Sequence, residues 1–151
     1  MNDIHGCVRL PFDARSKSRL LATLDSGEQV ALMLERGRSL RDGELVRLAD
    51  GRQIQVLAAE ESLLEATSDD PLVLAKAAYH LGNRHVAVQV LPQTLRFLND
   101  HVLAEMVKGL GLAVTAVVAP FEPEGGAYGH HHAHGSQVPL ATPKIHDFSG
   151  R

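Results

Sequence analysis

The chain has 151 residues, 44% of them apolar and 22% charged. This is the composition of a globular protein with a buried core, and it excludes wholesale disorder, collagen and coiled coil. Fifteen Lys and Arg against 18 Asp and Glu leave a net charge of −3, and only 4% of the residues are aromatic, so we expect no nucleic-acid partner. No apolar run approaches the roughly 20 residues of a membrane span, and the first residues lack the basic and apolar regions of a signal peptide. We therefore expect a cytoplasmic protein without a membrane partner, in which Cys7 is an incidental reduced thiol.

Residues 1–62 are predicted to form a small all-β domain. Apolar runs at 19–24 and 29–34 flank a glycine-containing turn, which predicts a β-hairpin. An Asp-Gly pair at 50–51 separates two further apolar runs and indicates a second hairpin. No helical periodicity competes in this part of the chain, and it contains no recognisable catalytic group.

Residues 63–120 change to a mixture of strands and helices. Asp70 is placed to cap a helix with Pro71 in its first turn, and we expect Gly82 and Asn83 to end that helix in the left-handed conformation. The predicted elements are a strand at 63–67, a helix at 72–81, strands at 86–91 and 94–98, a helix from 101 capped by Asn99 or Asp100, and a strand at 113–118. This β-α-β-β-α-β order predicts a ferredoxin-like domain with two helices on one face of a four-stranded sheet. The chain as a whole is therefore assigned to the α+β class.

The last segment, residues 121–151, has no periodicity and is predicted to be a flexible tail. Four of the nine histidines of the chain fall within five residues of it, namely His130, His131, His132 and His134. Neutral imidazole is a common protein ligand for Ni(II), Zn(II) and Cu(II), so the cluster predicts metal binding. We expect this binding to be weak and exchangeable, because a flexible segment loses conformational entropy when it is ordered. An expression tag, which is usually an uninterrupted terminal run, and a compositional accident are the other interpretations.

His101 is the second candidate ligand, in the first turn of the second predicted helix. It shares the polar side of that helix with Glu105 and Lys108, so a solvated surface histidine is the plainest interpretation. The positive end of the helix dipole, however, favours a neutral imidazole that is ready to bind a metal. A two-fold dimer would bring two copies of His101 together, which is what a single exposed histidine needs to become a site. We expect His85, at a helix-to-strand junction, to be structural or to support a ligand indirectly.

Three motifs follow one another along the chain. They are Leu-Gly-Asn-Arg-His at 81–85, Asp-His-Val-Leu at 100–103, and Pro-Phe-Glu-Pro-Glu-Gly-Gly-Ala-Tyr at 120–128, with the histidine-rich tail behind them. In this order they resemble the UreE family of urease accessory nickel chaperones, and the similarity covers nearly the whole chain. The resemblance implies a homodimer of ferredoxin-like domains with a nickel site at the interface, to which each chain contributes His101. The chain differs from some members of the family in having no histidine at 116–119, which puts an auxiliary metal site there in doubt.

The resemblance also implies partners for each part of the chain. The N-terminal domain would be similar to the peptide-binding domains of chaperones. The urease apoprotein and the other urease accessory proteins, notably the accessory GTPase that drives nickel insertion, would be the protein partners.

We therefore predict a nickel metallochaperone, not an enzyme, that binds Ni(II) and delivers it to the urease apoprotein. Its predicted metal ligands are His101, His130, His131, His132 and His134. A histidine-rich protein that stores or buffers metal is the alternative, and the same sites accept Zn(II) or Cu(II). An enzyme with a histidine-bound metal is disfavoured, because the chain has no HExxH motif and no pairing of a nucleophile with a base.

Overall fold

The computed structural model describes residues 3–125, which divide into two compact units. Unit 1 comprises residues 3–58, and unit 2 comprises Ala59–Glu124. The predicted histidine ligands at 130–134 lie outside the described residues. The unit boundaries differ by a few residues from the expected ones at 62 and 120, because a strand of unit 2 begins at Glu60 and because residues 121–124 stay on its sheet.

Unit 1 consists mostly of short strands. Its elements are β1 (Ile4–Leu10), α1 (Phe12–Arg15), β2 (Arg19–Thr23), β3 (Gln29–Met33), β4 (Leu45–Arg47) and β5 (Gln53–Ala58). Strands β2 and β3 pair antiparallel, as do β4 and β5, so both predicted hairpins are present. Alternate residues such as Ile54 and Val56 are buried, as the period of two in a half-buried strand requires.

Two elements of unit 1 were not predicted: the strand β1, which agrees with the all-β expectation, and the single helical turn α1, which departs from it. Strand β1 pairs parallel with β5, about fifty residues further along the chain, a pairing that no local turn signal announces. The single turn α1 places Arg15 in the interior, where it is fully buried. Its guanidinium donates hydrogen bonds to the carbonyl oxygens of Leu10 and Leu40, both at 3.1 Å.

Unit 2 is a four-stranded sheet with two helices. Its elements are β6 (Glu60–Thr67), α2 (Pro71–Asn83), β7 (Gln89–Leu91), β8 (Thr94–Leu98), α3 (His101–Gly109) and β9 (Ala113–Pro120). The strands lie in the order β7-β8-β6-β9, and all neighbouring pairs are antiparallel. Buried residues of both helices, including Ala77, Leu81 and Val107, pack with Leu64, Ala66, Leu95 and Phe97 of the central strands. Both helices therefore cover the same face of the sheet.

Both predicted helix caps are present, but α2 ends differently from the prediction. Gly82 and Asn83 remain helical, and His85 adopts the left-handed conformation with φ 56°. The amide of His85 bonds to the carbonyl of Gly82, and the amide of Val86 bonds to that of Leu81. This is the paired hydrogen-bond pattern of a Schellman motif, with histidine at the position where glycine is usual.

After β9 the chain crosses the sheet on its helix-free face. Gln89 lies opposite Arg96, on the face away from the buried residues that contact the helices. The side chain of Gln89 accepts a hydrogen bond from the amide of Glu122 at 3.1 Å, and the amide of Glu124 bonds to the carbonyl of Val88 at 2.8 Å. Residues 121–124, the crossing segment, therefore carry the chain from β9 at one edge to β7 at the other.

Candidate metal-binding site at the start of α3

His101 lies at a helix start that is fixed on both sides. The Asp100 carboxylate caps α3 by accepting a hydrogen bond from the Leu103 amide at 3.0 Å. The preceding residue, Asn99, bonds through its amide to the carbonyl of Ser62 in β6 at 3.1 Å, and its side chain bonds to the Ser62 hydroxyl. The backbone of His101 is thereby held between the sheet and the helix.

The ring of His101 faces away from the core. Ala104 and Val107 are the buried residues of α3, whereas His101 is exposed and its ring makes no hydrogen bond to residues 3–125. Glu105 and Lys108, also exposed, form a loose ion pair at 3.7 Å. The exposure of His101 agrees with its predicted place on the polar side of this helix.

Exposed apolar side chains lie at the same end of the sheet as His101. Val102 is 60% exposed and Val118 is 68% exposed. Val118 pairs with Ser62, the residue that also anchors Asn99, and it shares the helix-covered face with Val114, which packs against the core. Apolar side chains in such a position mark a surface suited to a protein contact. The sequence does not indicate this exposed apolar surface, because Val118 belongs to a predicted strand in which apolar residues are expected to be buried.

One chain does not complete a metal site around His101 within the described residues. Between residues 3 and 125, no group of three or more His, Cys, Asp or Glu side chains is arranged to hold a metal ion. The doubt about an auxiliary site on β9 stands, since Ala116, Val117, Val118 and Ala119 occupy that stretch.

The other singled-out side chains lie elsewhere. Cys7 is a free thiol in β1, and desolvation together with the neighbouring Asp25 carboxylate raises its pKa, so it resists forming the thiolate that binds metals. His85 is exposed beyond the end of α2 and does not join His101 in a metal-binding group. No helix within residues 3–125 combines the length and apolar character needed to cross a membrane.

Comparisons with known proteins cover both units. The family model described as UreE urease accessory protein, N-terminal domain, matches residues 5–59, and the corresponding C-terminal domain model matches residues 61–148. A urease accessory protein UreE of Dechloromonas aromatica is 49% identical, with 95% of this chain and 91% of that protein covered. Proteins of the same name from Pseudomonas putida and Alkalilimnicola ehrlichii are 57% and 53% identical, with 83% and 81% of this chain and 75% of each relative covered.

These matches define the class of protein to which the chain belongs. The two-unit architecture, mixed in helix and strand and mostly sheet, is that of an accessory protein of urease maturation rather than an enzyme. The chain belongs to the UreE family of urease accessory proteins. The resemblance inferred from the three motifs is confirmed.

Proposed function

We propose that the protein is a nickel metallochaperone that binds Ni(II) at His101 and delivers it to the urease apoprotein. The observation that carries the proposal is the state of His101, an exposed imidazole without a hydrogen bond in the described chain, fixed at a capped helix start. Unit 2, with its β-α-β-β-α-β order and strand order β7-β8-β6-β9, serves as a ferredoxin-like metal-binding domain. Imidazole ligands suit a carrier, because they bind Ni(II) firmly and still exchange.

The site is shared by two chains of a homodimer. Val102 and Val118 supply apolar surface beside His101, and a two-fold axis there places the two copies of His101 on either side of one ion. The absence of a complete ligand set within residues 3–125 of one chain supports this arrangement. Each chain contributes one fixed imidazole.

The remaining ligands come from His130, His131, His132 and His134. The crossing segment ends beside β7. Gln89 of that strand lies opposite Arg96, with about 5 Å between their Cα atoms. Five residues, at most about 17 Å of chain, separate Arg96 from His101. His130 and His134 follow Glu124 by six and ten residues, which span up to about 20 and 34 Å. The longer of these spans exceeds that path, so the length of the chain allows His134 to reach His101 of its own protomer.

The protein acts in the cytoplasm with the urease apoprotein and the accessory GTPase as partners, while unit 1 binds a peptide segment of one of them. Zn(II) and Cu(II) compete for the same imidazoles, since they favour the same ligand type. A metal store or buffer is the second candidate function, because four clustered histidines bind metal without any need for transfer.

A transfer experiment separates the two functions. The dimer is loaded with one equivalent of Ni(II) and mixed with urease apoprotein and its accessory proteins, with enough chelator present to remove free nickel. A chaperone gives urease activity under these conditions, and His101→Ala abolishes it, whereas His80→Ala, an exposed histidine of α2, does not. Urease activity that is no higher than with chelator-bound nickel alone would favour the buffer.

A further inference from the structure

The outward side of α2 carries an apolar stripe that the core does not use. Ala77 and Leu81 are the buried residues of this helix. On the opposite side, Leu72 is 61% exposed and Tyr79 is 65% exposed, with the small Ala75 between them. Residues spaced by three, four and seven positions share one side of a helix, so these side chains form a continuous surface.

The charges on this helix all have one sign. From residue 71 to residue 99 the sequence contains no Asp or Glu, whereas the chain as a whole has a net charge of −3. Lys76 and Arg84 are exposed and form no ion pair within residues 3–125. This part of the surface is therefore cationic in an acidic protein.

Other elements bring acidic residues towards α2 without neutralising it. Asp69 and Asp70 precede the helix, and the Asp70 carboxylate is engaged with the Leu72 amide as its cap. Glu122 and Glu124 lie beside β7, held there through their backbone amides. None of the four pairs with Lys76 or Arg84 within the described residues.

His85, at the end of the same helix, keeps its side chain at a conformational cost. It occupies the Schellman position with φ 56°, where glycine is favoured because a Cβ atom is strained there. The side chain is exposed and is not part of the buried core. Packing does not explain the presence of a histidine in this place, which together with the apolar stripe and the unpaired cations points to a contact made outside the chain.

We propose that Leu72, Lys76 and Tyr79 on the outward side of α2, together with Arg84 and His85 at its C-terminal end, form the α2 docking face and bind an acidic surface of a partner protein that offers an apolar pocket for Tyr79. The proposal rests on the proposed function in one respect, that the partner is a component of urease maturation. A second copy of this chain fits poorly, because a two-fold contact would set Lys76 and Arg84 against their own equivalents. Helix α2 packs over β8 and α3 packs over β9, so a partner on α2 leaves His101 accessible.

The test uses the full-length protein with two purified probes, the urease apoprotein and the accessory GTPase from the same organism. Each probe is titrated at low and high salt with the wild type and with Lys76→Glu/Arg84→Glu, Tyr79→Ala and His85→Gly. Lys17→Glu, an exposed cation of unit 1, is the matched control. Nickel titration and sedimentation accompany every variant.

We expect one probe to bind with an affinity that falls as salt rises, and the double charge reversal and Tyr79→Ala to weaken it by about tenfold or more. His85→Gly has the most specific signature, because it should raise the thermal stability of the protein while weakening the probe. Lys17→Glu should bind the probe as the wild type does. Nickel binding and the oligomeric state should be unchanged in all variants.

The proposal is overturned if neither probe binds, if the three α2 variants bind as tightly as the wild type, or if they change self-association instead, which would identify the occupant as a second copy. Intact nickel binding, with a probe bound equally well by the wild type and the three α2 variants, refutes this inference alone. A protein that binds a probe through α2 but no nickel at His101 refutes the proposed function alone.

Discussion

The two units differ in the surroundings of several polar side chains. In unit 1, Arg52 donates hydrogen bonds to both carboxylate oxygens of Glu28 and to Asp50, and Arg15 is buried with its guanidinium bonded to backbone. In unit 2, Lys76, Arg84 and the ring of His101 have no such partner within the described chain. Large apolar side chains follow the same division, since six of the eight exposed ones among residues 3–125 lie in unit 2.

The difference follows from how each unit is held together. Unit 1 has short strands in two small sheets, so side-chain bonds such as Arg52 to Glu28 fasten one turn to another. Unit 2 has a continuous sheet under two helices with local caps, and its half-buried ion pair between Arg96 and Glu65 joins two neighbouring strands of that sheet. Unit 2 can therefore leave imidazoles, cations and apolar side chains available for a metal, a second chain and a partner.

The largest expected effect comes from breaking the apolar surface beside His101. Val118→Glu places two carboxylates at the proposed two-fold contact, so we expect a monomer and at least about a hundredfold loss of the tightest nickel binding. Sedimentation and nickel titration measure both. Val90→Glu, at the opposite edge of the same sheet, should remain a dimer, and loss of the dimer in that variant would place the interface elsewhere.

The buried arginine tests the other side of the comparison. Arg15→Met leaves the carbonyl oxygens of Leu10 and Leu40 without their donor, so unit 1 should lose about 3 kcal/mol of unfolding free energy in a urea titration. Arg19→Met, an exposed arginine of β2, should be close to neutral. Nickel binding should survive at urea concentrations where Arg15→Met is still folded, and its loss there would show that the two units are not functionally separate.

The two helix caps form a matched pair. Asp70→Ala and Asp100→Ala each remove one cap hydrogen bond of about 3 Å, and each should cost about 1 kcal/mol of stability. Only Asp100→Ala should also weaken nickel binding, because it frees the helix start that fixes His101. Equal nickel affinities in the two variants would indicate that the position of His101 does not depend on its cap.

The smallest expected effect concerns the ion pair between Glu28 and Arg52. The hydrogen bonds from Arg52 lower the pKa of Glu28 from 4.5 to about 2. Between these values the unfolded chain takes up a proton that the folded chain does not, so this contribution to stability is complete above about pH 4.5 and is lost as the pH falls towards 2.

Glu28→Gln should therefore flatten the fall in thermal stability over this range. It should not abolish the fall, because hydrogen bonds from the chain also lower the pKa values of Asp25 and Asp50. Glu35→Gln, an exposed glutamate after β3, should keep the wild-type slope. An unchanged slope in Glu28→Gln would show that the ion pair is absent in solution.

Local signals predicted most of the elements, and long-range packing accounts for what they missed. The caps at Asp70 and Asp100 and the hairpins were readable, because each depends on residues a few positions apart. The parallel pairing of β1 with β5 and the crossing segment join residues far apart in sequence. At the candidate site, His101 was identified from its motif and its helix position, but the exposure of Val118 depends on how α3 sits over β9.

The end of α2 shows a further limit. Glycine at position 82 is the usual signal for a left-handed helix stop. The helix instead continues past Gly82, and His85 adopts the left-handed conformation. The amide of His85 bonds to the carbonyl of Gly82, and the amide of Val86 bonds to the carbonyl of Leu81. A sequence rule based on the preferred residue could not find a position where another requirement overrides the preference.

Calorimetric titration of Ni(II) into full-length wild-type protein and His101→Ala, with His80→Ala as control, tests the central claim most directly. The account predicts a tightest class of one ion per dimer in the wild type and in His80→Ala. In His101→Ala that class should be missing while weaker binding remains, with a stability change within about 0.5 kcal/mol. A tight class of the same affinity and stoichiometry in His101→Ala would contradict the account.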